Sequence, residues 1–156
     1  MNIQWYPGHM AKAKRQMADQ LKLVDAVLEI TDARIPLSSR NPDFENLFSN
    51  KIRLLILNKS DMADVDATAI WIDYFKRTGI AALPISANER KHKSRLIAFI
   101  NESLRDRLEY YDNKRIRKDL LLMAVGIPNS GKSSIINMLG GGSSAKTGNK
   151  PGVTRG

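Results

Sequence analysis

The segment GIPNSGKSS, Gly126 to Ser134, lies between an apolar run, LLLMAVG, and a helix-forming stretch from Lys132 to Leu139. It satisfies G-x-x-x-x-G-K-[ST] in full, a spacing that works only at a strand-to-helix junction. Its glycines allow a tight turn whose backbone N–H groups converge on phosphate oxygens, and the dipole of the following helix favours negative charge. Lys132 can then reach the β- and γ-phosphates of a nucleotide, and the Ser133 hydroxyl can bind Mg²⁺. Asn129, Ser130, Gly131 and Ser134 belong to the same turn. A strand feeding such a loop, with a helix behind it, argues for an α/β protein built on a parallel sheet.

The rest of the chain agrees. AVLEITDARIP reads as a strand ending at Asp32, followed by a turn at Pro36 and a short helix around Pro42 to Phe48. IRLLILNKSD is a nearly continuous apolar run, as expected of a strand covered on both faces. A helix from Asp64 to Arg77 follows and is ended by Gly79. IAALPISA is a third strand, Lys91 to Tyr111 one long charged helix, and Leu120 to Val125 a fourth strand. Near the N-terminus, Met10 to Leu23 has helical apolar spacing and one cationic side. From Gly140 the composition turns to Gly, Ser and Lys, and residues 139–156 are expected to form a flexible switch region that orders with a γ-phosphate and a metal ion. With four strands in all, Leu120 to Val125 is expected to be an exposed apolar edge.

NKSD, Asn58 to Asp61, ends a strand as the phosphate loop does, and open parallel sheets bind ligands at the carboxyl ends of their strands. Asn and Asp also end strands and start helices for purely local reasons, so the segment draws its weight from that position. The Asp61 carboxylate can accept hydrogen bonds from N1–H and the N2 amino group of guanine, where adenine offers an acceptor and a C–H. Asn58 would hold the base and tie its loop to the phosphate loop, and the Lys59 stem would cover one base face. ISA, Ile85 to Ala87, ends the next strand; there a backbone N–H, at Ser86 or Ala87, can meet the guanine O6.

At 156 residues with 42% hydrophobic content, the chain is long enough for one domain with a substantial core. Its net charge of +9 favours a polyanionic partner such as RNA, DNA or an anionic membrane surface, among which charge alone does not choose. With no cysteine it has neither disulfides nor thiolate metal sites. No apolar run reaches transmembrane length and the N-terminus lacks a signal-peptide core, so the expectation is a cytoplasmic protein without membrane contact.

The order of these motifs, base reader before phosphate loop, is that of a G domain cut within one loop and rejoined through its old termini. With WYPGHMAKA, DARIP, NKSD, ISA, GIPNSGKSS and NKPGVTRG in sequence, the chain resembles the circularly permuted ribosome-assembly GTPases, and among them the ribosome biogenesis GTPase A (YlqF) family. The resemblance implies a GTP-binding and GTP-hydrolysing switch acting on large-subunit precursor rRNA or the immature large ribosomal subunit. It implies that Thr154 joins Ser133 around Mg²⁺ and that Asn129 ligates K⁺ beside the phosphates. The family continues into an Asp-x-x-Gly segment and a helical RNA-binding domain, so residues 1–156 are expected to form an incomplete permuted G domain. Two other functions compete: a K⁺-dependent GTPase of tRNA modification, and a non-catalytic RNA-binding module with a vestigial nucleotide site.

Weaker signals complete the reading. His9 is a candidate to orient the attacking water, although a turn histidine is more often structural. His92, inside ERKHKSR, reads as solvated, and the basic stretch from Arg90 to Lys118 as a candidate RNA contact. Trp71, Tyr74 and Phe75 are expected to pack on the sheet. Asp32 and Arg34 sit at a strand end beside the expected nucleotide without an assigned role.

Overall fold

A computed structural model describes residues 2–5, 18–38, 40, 43–116, 119–126, 130–140 and 152–155. Its elements run β1 (Asn2–Trp5), β2 (Ala26–Asp32), α1 (Asp43–Leu47), β3 (Ile52–Asn58), α2 (Val65–Arg77), β4 (Ala81–Pro84), α3 (His92–Ser103), α4 (Arg105–Asn113), β5 (Leu121–Gly126), α5 (Lys132–Gly140) and β6 (Gly152–Arg155). A short 3₁₀ turn occupies Ser60–Met62, and residues 18–21 are helical.

The sheet has six strands in the order β4-β3-β2-β5-β1-β6. Its first five strands are parallel, and β6 pairs antiparallel with β1. The expected four strands are β2, β3, β4 and β5. The phosphate-loop strand is not the apolar edge that four strands would leave, because β1 pairs with it from Asn2↔Leu121 to Trp5↔Ala124.

Both sheet faces are covered, which explains the unbroken apolar runs of β2, β3 and β5. Ala26, Leu28, Ile30, Leu54, Ile56, Leu122 and Ala124 face one core with Leu96 and Ile100 of α3, Tyr111 of α4 and Ile135 of α5. The alternate residues face the other side, where Val27, Met123 and Val125 meet Phe48, and Leu55 and Leu57 meet Phe75 of α2. Each of these larger side chains contributes about 1.5–3 kcal/mol of hydrophobic stabilisation. Phe75 is thus a core residue and Trp71 half-covers it, whereas Tyr74 is exposed. Glu29 also faces this second side and is 1% exposed. Arg40 neutralises it through two bonds of 2.9 and 3.1 Å, and Arg53 adds one of 3.3 Å. That network ties the chain after β2 back onto the sheet.

Helix ends follow local chemistry. Asp64 caps α2 by accepting from Ala67 N–H at 3.0 Å. At the other end Gly79, at φ 87°, lets its own N–H reach Lys76 O and that of Ile80 reach Phe75 O, closing a Schellman motif. The single helix expected over Lys91 to Tyr111 is two helices, broken at Leu104. This residue has φ −110° and ψ 18°, and its side chain is buried in the core.

Candidate functional site

Strand register brings the motifs to one edge of the sheet. Asp32 pairs with Asn58, Leu57 with Pro84 and Ile30 with Gly126, so the carboxyl ends of β2, β3, β4 and β5 lie level. Three loops leave this edge: NKSD from β3, ISA from β4 and the phosphate loop from β5.

Asn58 joins all three. It is 2% exposed, its Nδ2 donates to Ser130 O in the phosphate loop at 3.1 Å, and its Oδ1 accepts from Ala87 N–H at 3.2 Å. The main chain adds Ser60 N–H to Ile85 O at 3.1 Å. A buried amide with its donor and acceptor each spent on a different loop fixes their relative positions. The glycines fit around it. Gly131 has φ 87°, and a Cβ there would collide with Asn58 Nδ2. A Cβ on Gly126 would stand 2.8 Å from both Ile30 O and Ser130 Oγ. Each glycine thus has a steric reason beyond turn formation.

Lys59 follows in the left-handed region, at φ 62° and ψ 35°, a conformation that strains a non-glycine residue and starts the 3₁₀ turn carrying Asp61. The Asp61 side chain is exposed at this rim. Lys59 Nζ lies 3.6 Å from Asp32 Oδ2, and Arg34 grips the same carboxylate through Nε at 3.0 Å and Nη2 at 2.6 Å. The Arg34 side-chain bond, ahead of the other contributions, lowers the Asp32 carboxyl to a pKa of about 2. The bond to Asp32, and to a smaller extent the charge of Asp61, raise Arg34 in turn. DAR and NKSD therefore share one charge cluster, a link the linear sequence did not expose.

At the phosphate loop, Lys132 and Ser133 open α5, Ser133 and Ser134 are exposed, and Ser130 is buried. The Ser130 hydroxyl has no hydrogen-bond partner among the described residues. Lys132 is not the solvated side chain expected of a surface cation: burial lowers its pKa to about 8. A lysine desolvated at a helix N-terminus is electrostatically matched to an anion placed in the turn. A groove of about 540 Å³ opens between the ISA turn and α5, lined by Ala87, Asn88, Arg90, Lys93, Ser134 and Asn137. That volume suits a nucleoside-sized ligand. A second cavity of about 370 Å³ lies at the opposite, amino end of β3 and β4, beside Ile52 and Ala81, and holds no motif residue.

Other expected site residues are placed differently or not at all. His9 and Asn129 lie outside the described residues, as do 141–151 of the expected switch region. Thr154 pairs with Ile3, itself level with Leu122, so its backbone is two strands from β5 and four residues short of the phosphate loop. This arrangement does not bring Thr154 to Ser133. Among the described residues no group of three His, Cys, Asp or Glu could hold a metal ion. The exposed Ser133 hydroxyl at the start of α5 is a group that could hold Mg²⁺ together with nucleotide phosphates. The expectation of a solvated His92 is overturned: the ring is 8% exposed and accepts a 2.8 Å bond from Ser86 N–H. Surrounded in sequence by charged residues, it carried no periodic signal of burial.

Comparison with known proteins finds relatives among ribosome-associated GTPases. Residues 122–156 match the family described as 50S ribosome-binding GTPase. The chain is 47% identical to Ribosome biogenesis GTPase A of Priestia megaterium over 99% of its own length and 54% of that protein. It is 36% identical to Mitochondrial ribosome-associated GTPase 1 of Bos taurus, over 97% of this chain and 47% of that one. Among solved structures, GNP-bound YlqF from T. maritima superposes with a TM-score of 0.60 at 34% identity, covering 83% of this chain and 48% of that chain. The chain spans about half the length of the curated relatives it matches. Over the span it covers, the chain is similar to the ribosome biogenesis GTPase A (YlqF) proteins.

Proposed function

We propose that this chain is the nucleotide-binding part of a GTP-hydrolysing switch that acts in maturation of the large ribosomal subunit. The observation that carries the reading is Asn58, whose buried amide holds the NKSD, ISA and phosphate loops together at the carboxyl edge of the sheet. A base bound there would rest against the Lys59 stem, with Asp61 accepting from N1–H and the N2 amino group. The phosphates would lie on the N–H groups opening α5, with Lys132 neutralising the β- and γ-oxygens. Mg²⁺, held by Ser133 and the nucleotide, would neutralise charge developing on the transferred phosphoryl group. Thr154 would join it only after β6 leaves β1.

Guanine is favoured over adenine because adenine would leave the Asp61 carboxylate without its two donors. The names of the relatives support a ribosomal partner, and the net charge of +9 supports contact with its RNA. Among the described residues no helix is long and apolar enough to cross a membrane. We place the protein in the cytoplasm, with a circularly permuted G domain and with K⁺ as a candidate activator through Asn129. Sedimentation with large ribosomal subunits tests the switch: association should be strong with a non-hydrolysable GTP analogue and weak with GDP. Equal association in both states would refute it.

A further inference from the structure

We propose that His92 is a positioning residue for recognition of the guanine O6, acting through the backbone of Ser86. This rests on the guanine site proposed above. Ser86 N–H donates to His92 Nδ1 at 2.8 Å, and Ser86 C=O accepts from Glu89 N–H at 3.1 Å. These bonds hold the residue on both sides, so the peptide joining Ser86 to Ala87 has one orientation. In that orientation Ala87 N–H donates to Asn58 Oδ1 at 3.2 Å, and Ala87 itself lines the groove. A guanine O6 entering the groove would share this N–H with Asn58 Oδ1 in a three-centre bond, so the aim of the peptide decides how well it is met.

The imidazole is itself fixed. With Nδ1 accepting, its proton sits on Nε2, which donates to Glu89 Oε2 at 2.9 Å. His92 opens α3, and that helix is anchored by Leu96 and Ile100, both fully buried in the core. Docking of α3 thus sets the ring, the ring sets Ser86, and Ser86 aims Ala87. His92 itself does not line the groove, so its contribution is to geometry and not to contact.

Two amide substitutions separate this role from mere space filling. In H92N the side-chain oxygen overlays Nδ1 and keeps an acceptor for Ser86 N–H. In H92Q the amide overlays Nε2, which keeps the Glu89 contact and loses that acceptor. The readout is the affinity of wild type and both variants for GDP and for the diphosphate of 2-aminopurine riboside, which lacks O6 and with it the N1–H facing Asp61. The N1–H loss is common to all three proteins, so the difference between variants reads O6. H92N should keep the wild-type preference for GDP. H92Q should lose about tenfold of it, the worth of one misdirected hydrogen bond, with affinity for the O6-less nucleotide unchanged. Equal preference in H92N and H92Q overturns the inference while leaving the guanine site standing. A wild-type chain with no preference overturns the guanine site and the inference with it. Amide exchange needs no variant: Ser86 N–H should be protected in the wild-type chain, and an unprotected rate overturns the proposal even if H92Q fails to fold.

Discussion

Replacing Lys132 with methionine should stabilise the nucleotide-free fold while destroying its affinity for phosphate. The ammonium is held mostly out of water at the start of α5, and its pKa falls from 10.5 to about 8. A difference of that size corresponds to about 3 kcal/mol of preference for the uncharged form. Solvent still reaches part of the side chain and screens this cost, so a stabilisation of ~1–2 kcal/mol is expected for K132M at pH 7. The pH dependence has a definite sign. Between pH 8 and 10.5 the unfolded chain keeps the Lys132 proton and the folded chain does not, so this group makes wild type more stable as pH rises through that window. The advantage of K132M should shrink across the same window. Urea unfolding at pH 7 and pH 10, with a fluorescent-GDP titration at pH 7, measures both quantities. Destabilisation of K132M at pH 7, or retained GDP affinity, would refute the reasoning.

Other residues give independent tests. Asn58→Asp keeps the acceptor for Ala87 N–H but sets a carboxylate against Ser130 O; it should cost about 2–4 kcal/mol in urea unfolding and abolish GDP binding. Lys59→Gly relieves a left-handed residue, so thermal unfolding should show equal or slightly higher stability while GDP binds less tightly. Asp32→Asn should remove ~1 kcal/mol at neutral pH, the figure being kept small because exposed Arg34 is screened by water. Its carboxyl is depressed from 3.8 to about 2, so the wild-type advantage holds above pH 4 and vanishes as the pH falls towards 2, as acid unfolding curves of both proteins would show. Gly79→Ala forces a Cβ into a left-handed position and should cost about 1 kcal/mol in the same assay.

The strands β2, β3 and β5 were legible because each is a run of apolar residues long enough to be covered on both faces. The edge strand β4 was legible because IAALPISA follows the helix stop at Gly79, and the cap at Asp64 is a local signal. The sheet edge was not. β1 and β6 have four residues each, and nothing in Asn2–Trp5 or Gly152–Arg155 announces pairing with a partner more than a hundred residues away. The motifs named the loops of the site, but their coupling through Asn58 required the strand register. His92 shows the limit most clearly: its neighbours Arg90 and Lys91 are exposed in the turn before α3, while the ring at the helix start is buried and accepts from Ser86 N–H. Desolvation of Lys132 was equally hidden, because it depends on how closely α5 sits against the sheet.

The guanine-nucleotide site proposed here unites NKSD and the phosphate loop although they occur in reversed order. Asp61→Asn tests it most directly, since an amide offers a donor where xanthine has a carbonyl and guanine has its amino group. Affinities for GDP and for xanthosine diphosphate, measured side by side on wild type and D61N, should reverse their order, with D61N preferring the xanthosine nucleotide. An unchanged preference for GDP in D61N would contradict the assignment of the base reader.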